Sequence, residues 1–376
     1  MAPSDFTTRR AASLDSLRGL AALLVLACHV ILFAPVPPPA VDWLLRFTPL
    51  YIVASGRAPV IFFFVLSAYV LTLSLLRPGA PGFVGFALNR ACRLLLPAAG
   101  AVLLSAALRE LSFAGPPPGY SWYFQNTMWM PAPGAVDLLR QSLLLGAQPQ
   151  FGLDPALWSL VHEWRIALVL PAVLLFRHRP LMLPALGLVA QGVAFAAGVD
   201  VNMVHLGQRF HSTLVATLYF AAAFAAGAAL ALGGAGLRLE GHARPAAWIA
   251  LLGCVWLHSD IGYIGGSVLL ILLAREPGPL ARSLETPVPR FLGRISFSLY
   301  LVHMPVLAFA AHATQGWLSP WTALCLGALA SLPVAVLFYA AVEVPSHRLS
   351  RLVGRWGQRR PEVAGVRLAG SESRSG

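Results

Sequence analysis

The side chains best suited to chemistry are ionisable groups inside long apolar stretches of the sequence. Arg18 and His29 lie 11 residues apart in the first of these stretches. In an α-helix this spacing brings both to nearly the same face, with a rise of about 16 Å between them. A neutral imidazole can act as a general base toward a hydroxyl, and a guanidinium binds anions. The pattern predicts an anion-binding arginine and a candidate base on one helix. The alternative for His29 is a packed polar residue bonded to a neighbouring helix.

Arg90 and Arg93 form a second cationic pair, one helical turn apart at the end of another apolar stretch. Residues at this spacing share a helix face, and two guanidinium groups there can grip phosphate through paired hydrogen bonds. The alternative is that both arginines only set the orientation in the membrane or bind lipid headgroups. The pair is therefore a candidate phosphate site.

Glu163 is the one carboxylate well inside an apolar stretch. We place it about 10 Å from the outer end of its helix, a depth similar to that of His29, which allows a contact between the two. The alternative is an ion pair of Glu163 with Arg165 or with an outer arginine. His162 and Glu163 begin a zinc-protease pattern, but Ile166 takes the place of its second histidine, so no metal site is predicted.

The elements that carry these residues are predicted to cross a membrane. The chain has 376 residues, of which 57% are hydrophobic and 11% charged, whereas a soluble domain is nearer 25% charged. The apolar stretches lack the period-2 alternation of barrel strands. We therefore predict an all-α polytopic membrane protein with about ten transmembrane helices. The predicted spans are 14–34, 58–76, 94–110, 156–176, 181–199, 212–232, 246–259, 261–274, 294–312 and 320–342.

Arginine placement predicts the orientation of these spans. All 27 basic residues are arginine, and the formal net charge is +12. With the N-terminus inside, 21 arginines fall on the inner side and five on the outer side, which predicts that both termini are cytoplasmic. Because the arginines are spread over many short loops, the charge favours anionic lipids and cytoplasmic anions as partners and argues against nucleic acid. Residues 1–345 are the predicted membrane-embedded domain, and 346–376 a basic cytoplasmic tail, partly disordered.

In their order along the chain these motifs resemble the acyltransferase 3 family of integral membrane acyltransferases. The similarity extends over residues 13–345, and one departure is Ala68, where the family usually has glycine. The matching segments are the R-x10-H of Arg18 and His29, residues 60–67, the R-x-x-R of Arg90 and Arg93, residues 158–163, residues 292–301 and the Glu343-Val344-Pro345 triplet.

The resemblance implies transfer of an acyl group, often acetyl, from cytoplasmic acyl-CoA to a hydroxyl of a sugar, glycan or glycolipid, at a bacterial inner membrane. It implies that His29 is the base, with Glu163 orienting it or contacting the acceptor. Arg18, Arg90 and Arg93 would hold the phosphates of CoA. The thioester is already activated, so no protein nucleophile is needed and no permanently bound cofactor or metal is expected.

A proton-coupled secondary transporter is the alternative, with His29, Glu163 and His303 as a proton relay. We find no internal repeat, which such transporters commonly have. Outside this alternative, His303 is interpreted first as a helix-packing residue beside Pro305.

Overall fold

The computed structural model describes residues 3–130, 132–146, 152–199 and 210–354. Within these ranges the chain forms helices and turns and contains no strand, which confirms the all-α class. A π-helical segment, Tyr339–Glu343, joins the last two helices. The helices are α1 (Pro3–Phe33), α2 (Pro39–Phe47), α3 (Tyr51–Ala54), α4 (Arg57–Leu75), α5 (Phe83–Ser112), α6 (Trp122–Thr127), α7 (Ala135–Ser142), α8 (Trp158–Val169), α9 (Met182–Ala196), α10 (Phe210–Gly233), α11 (Ala243–Trp256), α12 (Asp260–Arg275), α13 (Pro279–Leu284), α14 (Pro287–Ala313), α15 (Pro320–Phe338) and α16 (Val344–Val353).

In the part of the chain that the structure describes, seven helical segments are long and apolar enough to cross a membrane. The other three predicted spans correspond to α9, α11 and α12, which have 15, 14 and 16 residues. Helices of this length reach about 21–24 Å, less than the roughly 30 Å of a hydrocarbon core. The count of ten spans and the cytoplasmic termini remain predictions. The seven segments are Ala12–Phe33, Arg57–Leu75, Phe83–Ser112, Pro155–Phe176, Phe210–Gly233, Pro287–Ala313 and Pro320–Val353.

Helix α1 and helix α14 cross at two glycines that let their backbones touch. A Cβ added to Gly19 would overlap the backbone at Gly293, and a Cβ on Gly293 would overlap the backbone at Asp15. Ten residues further along both helices, His29 contacts His303. The two contacts are ten residues apart in the same chain direction on both helices. The helices therefore run parallel, with about 15 Å between the two contacts. This register sets the height of every functional side chain on α1 and α14.

Helix α5 runs beside α14 and supports the Arg18 end of the predicted site. It begins at Phe83, eleven residues before the predicted third span. Helix α16 packs against α5, and Asn89 Nδ2 donates to the carbonyl oxygen of Ser350 at 3.1 Å. The first residues of the predicted tail are therefore helical, and from residue 355 onward that tail lies outside the described residues.

Residues 113–130, which follow α5, fold back onto the bundle at the far end of α1. Ser121 caps the N-terminus of α6, and its hydroxyl donates to the carbonyl oxygen of Leu32 at 2.6 Å. Trp129 is fully buried, and its Nε1 donates to Ser105 Oγ at 2.9 Å. These contacts cover the end of α1 that carries His29.

Candidate active site

The predicted arginines and Glu163 line a cleft beside the Gly19–Gly293 crossing. Two adjoining cavities, of about 110 and 270 Å³, share Arg18, Arg90, Arg93 and Glu163 among their lining residues. The structure thus brings together four of the five predicted site residues, and His29 lies deeper along α1. The first cavity is also lined by Ser67, Ser159 and Tyr300, and the second by Asp15, Arg294, Glu343 and His347.

Glu163 is held by α5 and α4. Arg90 Nη2 lies 2.8 Å from Glu163 Oε1, and Ser67 Oγ donates to the same oxygen at 2.8 Å. Among the described residues, Glu163 has no hydrogen bond to His29 and no ion pair with Arg165. Glu163 pairs with Arg90 because α5 begins as early as Phe83. Arg90 therefore lies two turns inside this helix, at the same height in the bundle as Glu163.

Arg90 and Arg93 differ sharply although they are one turn apart. The Arg90 side chain is 9% exposed and committed to Glu163. Arg93 is exposed to the cleft and, within the described ranges, has neither a hydrogen bond nor an ion pair. Its guanidinium is therefore ready to bind an anion, whereas that of Arg90 is already paired.

Two further arginines reach the cleft from the crossing helices. Arg18 lies 3.8 Å from Asp15, and its side chain is 39% exposed. Arg294 on α14 is exposed and, in the described part of the chain, unpaired. The sequence alone does not distinguish Arg294 from the other arginines that are predicted on the inner side. The available signal was its position next to Gly293, which mirrors Arg18 next to Gly19.

Glu343 adds a carboxylate to the second cavity. The π-helical segment that ends at Glu343 turns this side chain toward α14, where Ser298 Oγ donates to Oε2 at 2.5 Å. His347 Nε2 lies 3.7 Å from Oε1. Such single π-turns are common at functional sites. The cleft therefore carries both signs of charge, with the acidic groups on its wall and unpaired guanidinium groups facing its opening.

His29 forms a pair with His303, so the histidine interpreted first as a helix-packing residue also contacts the candidate base. His303 Nε2 lies 3.1 Å from His29 Nδ1, and the ring centroids are 5.0 Å apart. Nδ1 of His303 faces the carbonyl oxygen of Leu299 at 3.1 Å, and Nδ1 of His29 faces that of Val25 at 2.9 Å. His303 is 1% exposed, whereas His29 is half-buried.

Tyr300 marks the deep end of the cleft and lies next to the histidine pair. Its hydroxyl donates to the carbonyl oxygen of Ala156 at 2.8 Å and accepts from Ser159 Oγ at 2.7 Å. Its ring lies 5.9 Å from that of His303 and 5.8 Å from that of Phe63. The Tyr300 end of the first cavity therefore lies beside His303.

Asp154 fixes the start of the segment that carries Glu163. It is fully buried, and its Oδ1 accepts from Ala156 N at 3.2 Å. Burial raises the pKa of this carboxyl well above its ordinary value. The carbonyl oxygen of Ala156 accepts from the Tyr300 hydroxyl, so the turn at Asp154–Ala156 links the start of α8 to α14.

Comparison with known proteins places the chain in a family. A family model described as an acyltransferase domain matches residues 11–340. Neither the curated proteins nor the solved structures contain a match. Among the described residues, no group of three or more histidine, cysteine, aspartate or glutamate side chains is arranged to hold a metal ion. The matched region includes all five predicted site residues, which lie on α1, α5 and α8. The chain is an integral membrane protein that belongs to the acyltransferase 3 family.

Proposed function

We propose that this protein moves an acyl group, most simply acetyl, from cytoplasmic acyl-CoA to a hydroxyl of a sugar, glycan or glycolipid. The observation that carries the proposal is a cleft in which the unpaired guanidinium groups of Arg93 and Arg294 lie beside Arg18, which is on the same helix as His29. The bacterial inner membrane is the proposed location, because there a cytoplasmic donor and a surface glycan meet across one bilayer.

The donor phosphates would bind at the cleft opening. Arg18, Arg93 and Arg294 present guanidinium groups there, and such groups bind phosphate in a bidentate manner. Arg90 would contribute through its charge while it stays paired with Glu163. The flexible arm of CoA can then carry the thioester along the cleft toward Tyr300 and the histidine pair.

His29 would act as the general base. The hydroxyl proton of the acceptor passes to His29 Nε2 as the oxygen attacks the thioester carbonyl carbon. The C–S bond breaks, and the departing thiolate takes the proton back from His29. The products are an O-acyl ester and free CoA, so neither a protein nucleophile nor a redox partner is required.

Glu163 is proposed to position Arg90 rather than to touch His29. Its carboxylate accepts from Arg90 and Ser67 and so ties α4, α5 and α8 together at the cleft. This arrangement argues against the proton relay of a transporter, since Glu163 is engaged by Arg90 and the histidines are engaged by each other.

The acceptor would approach from the opposite end of α1. His29 is four residues before the end of this helix at Phe33, beneath the segment that begins at Ser121. This geometry requires the Arg18 end to face the cytoplasm. Labelling of a cysteine at Ser121 in intact cells, with the four native cysteines replaced, tests it. Shielding of that cysteine from an impermeant reagent would contradict the orientation and, with it, the donor assignment.

The central test is acyl transfer by the purified protein and its His29→Ala variant in lipid nanodiscs. We expect wild-type protein to move labelled acetyl from acetyl-CoA to a surface glycan fraction. We expect the variant to lose about 10²–10⁴-fold in rate while CoA still binds. His178→Ala, at an exposed histidine, is the control and should behave as wild type. Near wild-type turnover by His29→Ala would refute the base assignment, and absence of acetyl transfer by the wild type would refute the proposed function.

A further inference from the structure

We propose that His303 is a positioning residue for His29: it accepts a hydrogen bond from His29 Nδ1 and so presents Nε2 of His29 as the basic nitrogen. The inference rests on the proposed function, in which His29 is the base. His303 touches neither donor nor acceptor in this scheme and acts only through His29.

The hydrogen-bond geometry determines which nitrogen carries the hydrogen. Nδ1 of His303 faces the carbonyl oxygen of Leu299 at 3.1 Å, and a carbonyl can only accept. In the neutral ring that nitrogen is therefore protonated, and Nε2 of His303 is an acceptor. Nε2 lies 3.1 Å from His29 Nδ1, which also faces the carbonyl oxygen of Val25. With two acceptors in front of it, Nδ1 of His29 carries the hydrogen, and the lone pair is on Nε2.

Burial makes His303 a rigid reference for the half-buried ring of His29. His303 is 1% exposed, and its neighbours Val302 and Met304 are fully buried. The Gly19–Gly293 contact fixes the register of α1 on α14 about 15 Å away. A one-residue slip of either helix would rotate its histidine by about 100° and break the pair. The close glycine crossing and the histidine pair are thus two parts of one alignment.

His303 takes the place that a carboxylate has in many base-assisted sites, where a third group orients the catalytic imidazole. The carboxylate predicted for that task, Glu163, is bonded to Arg90. When His29 takes the acceptor proton, its Nδ1–H still donates to His303 Nε2, and no proton moves between the rings. A neutral partner stabilises the imidazolium less than a carboxylate would, so the ring readily returns its proton to the leaving thiolate.

The test compares two substitutions at His303 that differ in hydrogen-bond acceptance. His303→Leu keeps an apolar side chain in the space but cannot accept, whereas His303→Gln offers an amide oxygen. We expect the leucine variant to lower kcat about 10–100-fold, as when the hydrogen-bond partner of a metal-bound histidine is removed, with KM for acetyl-CoA unchanged. The glutamine variant should recover most of that loss. His312→Phe, which removes another buried histidine from α14 within a cluster of aromatic rings, is the matched control and should retain wild-type kcat.

A nitrogen NMR measurement on the wild-type protein is independent of turnover. In ¹⁵N-histidine-labelled protein, with His29 and His303 assigned by their glutamine variants, we expect hydrogen on Nδ1 of both rings. Hydrogen on Nε2 of His29 would overturn the proposal, as would equal loss of kcat in the leucine and glutamine variants, or no loss in either. If the leucine variant fails to fold, the glutamine variant and the spectrum still decide. Failure of the proposed function appears separately, as activity in His29→Ala or its absence in the wild type.

Discussion

Two arginine–carboxylate pairs join helices inside this bundle, and their surroundings differ. Arg57 on α4 donates through Nε and Nη2 to the two oxygens of Asp260 on α12, both at 2.6 Å. Tyr219 from α10 donates to the same carboxylate at 2.8 Å. Arg90 and Glu163 make one ion-pair contact at 2.8 Å and line a cavity. The first pair is a closed three-helix connection, and the second is one side of an open cleft.

The difference shows how a structural pair can be told from a functional one. The Asp260 carboxylate binds two of the three guanidinium nitrogens of one arginine, and this arrangement can be explained by stability alone. Around Glu163 the cleft adds Arg18 and Arg93, and Nε of Arg90 is buried with no partner among the described residues. The four arginines of the cleft outnumber its three carboxylates, Asp15, Glu163 and Glu343, and Arg93 and Arg294 have no ion pair among the described residues. The proposed anionic donor would supply the missing negative charge.

The largest effect is expected from breaking the closed pair. Asp260→Ala leaves the half-buried Arg57 guanidinium without this carboxylate, which should lower the free energy of unfolding by about 3–5 kcal/mol. Thermal unfolding of the purified protein in detergent measures this. Glu240→Ala removes the carboxylate of an exposed pair with Arg238, whose atoms are 3.8 Å apart, and should change stability by less than about 1 kcal/mol. Equal melting temperatures for the two variants would contradict the structural role of Asp260.

A smaller loss of stability and a clearer loss of activity are expected at the open pair. Glu163→Gln keeps an oxygen that accepts from Arg90 and Ser67 but removes the charge. We expect the free energy of unfolding to fall by about 1.5–3 kcal/mol. We expect the rate of acyl transfer to fall roughly tenfold or more, with a smaller shift in melting temperature than in Asp260→Ala. The two variants should be compared in both assays. If Glu163→Gln lowers the melting temperature strongly but keeps full activity, the Arg90–Glu163 pair is structural, like the Arg57–Asp260 pair.

Much of the architecture could be predicted from the sequence, because it depends on local patterns. Long apolar stretches predict the all-α class, and the R-x10-H spacing correctly predicts that Arg18 and His29 lie on one helix. Contacts between helices could not be predicted in this way. The pairing of Glu163 with Arg90 depends on how far α5 extends, and that of His29 with His303 depends on which helix packs against α1. Both are properties of tertiary packing.

Substitution of the two arginines of the R-x-x-R motif should have different effects on CoA affinity and on melting temperature. Arg93→Ala removes an unpaired guanidinium and should weaken CoA binding about tenfold, with little change in melting temperature. Arg90→Ala should also lower the melting temperature, because it leaves Glu163 without its partner. Arg93→Lys should restore only part of the affinity, since an ammonium lacks the planar fork. Calorimetric titration with CoA measures all three, and unchanged affinity in Arg93→Ala would limit this residue to a role in membrane orientation.

The smallest effect is expected at Arg294, at the opening of the cleft. This side chain is exposed, so water and salt screen its attraction for a phosphate, and Arg294→Ala should raise the Kd for CoA only about two- to fivefold. The difference should shrink as ionic strength rises, since the Debye length falls from about 10 Å at 0.1 M to about 3 Å at 1 M. Arg290, one turn earlier on α14 and also exposed, does not line either cavity and is the matched control. If Arg290→Ala weakens CoA binding as much as Arg294→Ala, the effect comes from the net charge of this end of α14 and not from a contact with the donor. A larger effect at Arg294 alone would extend the donor site across the Gly19–Gly293 crossing and make both parallel helices part of it.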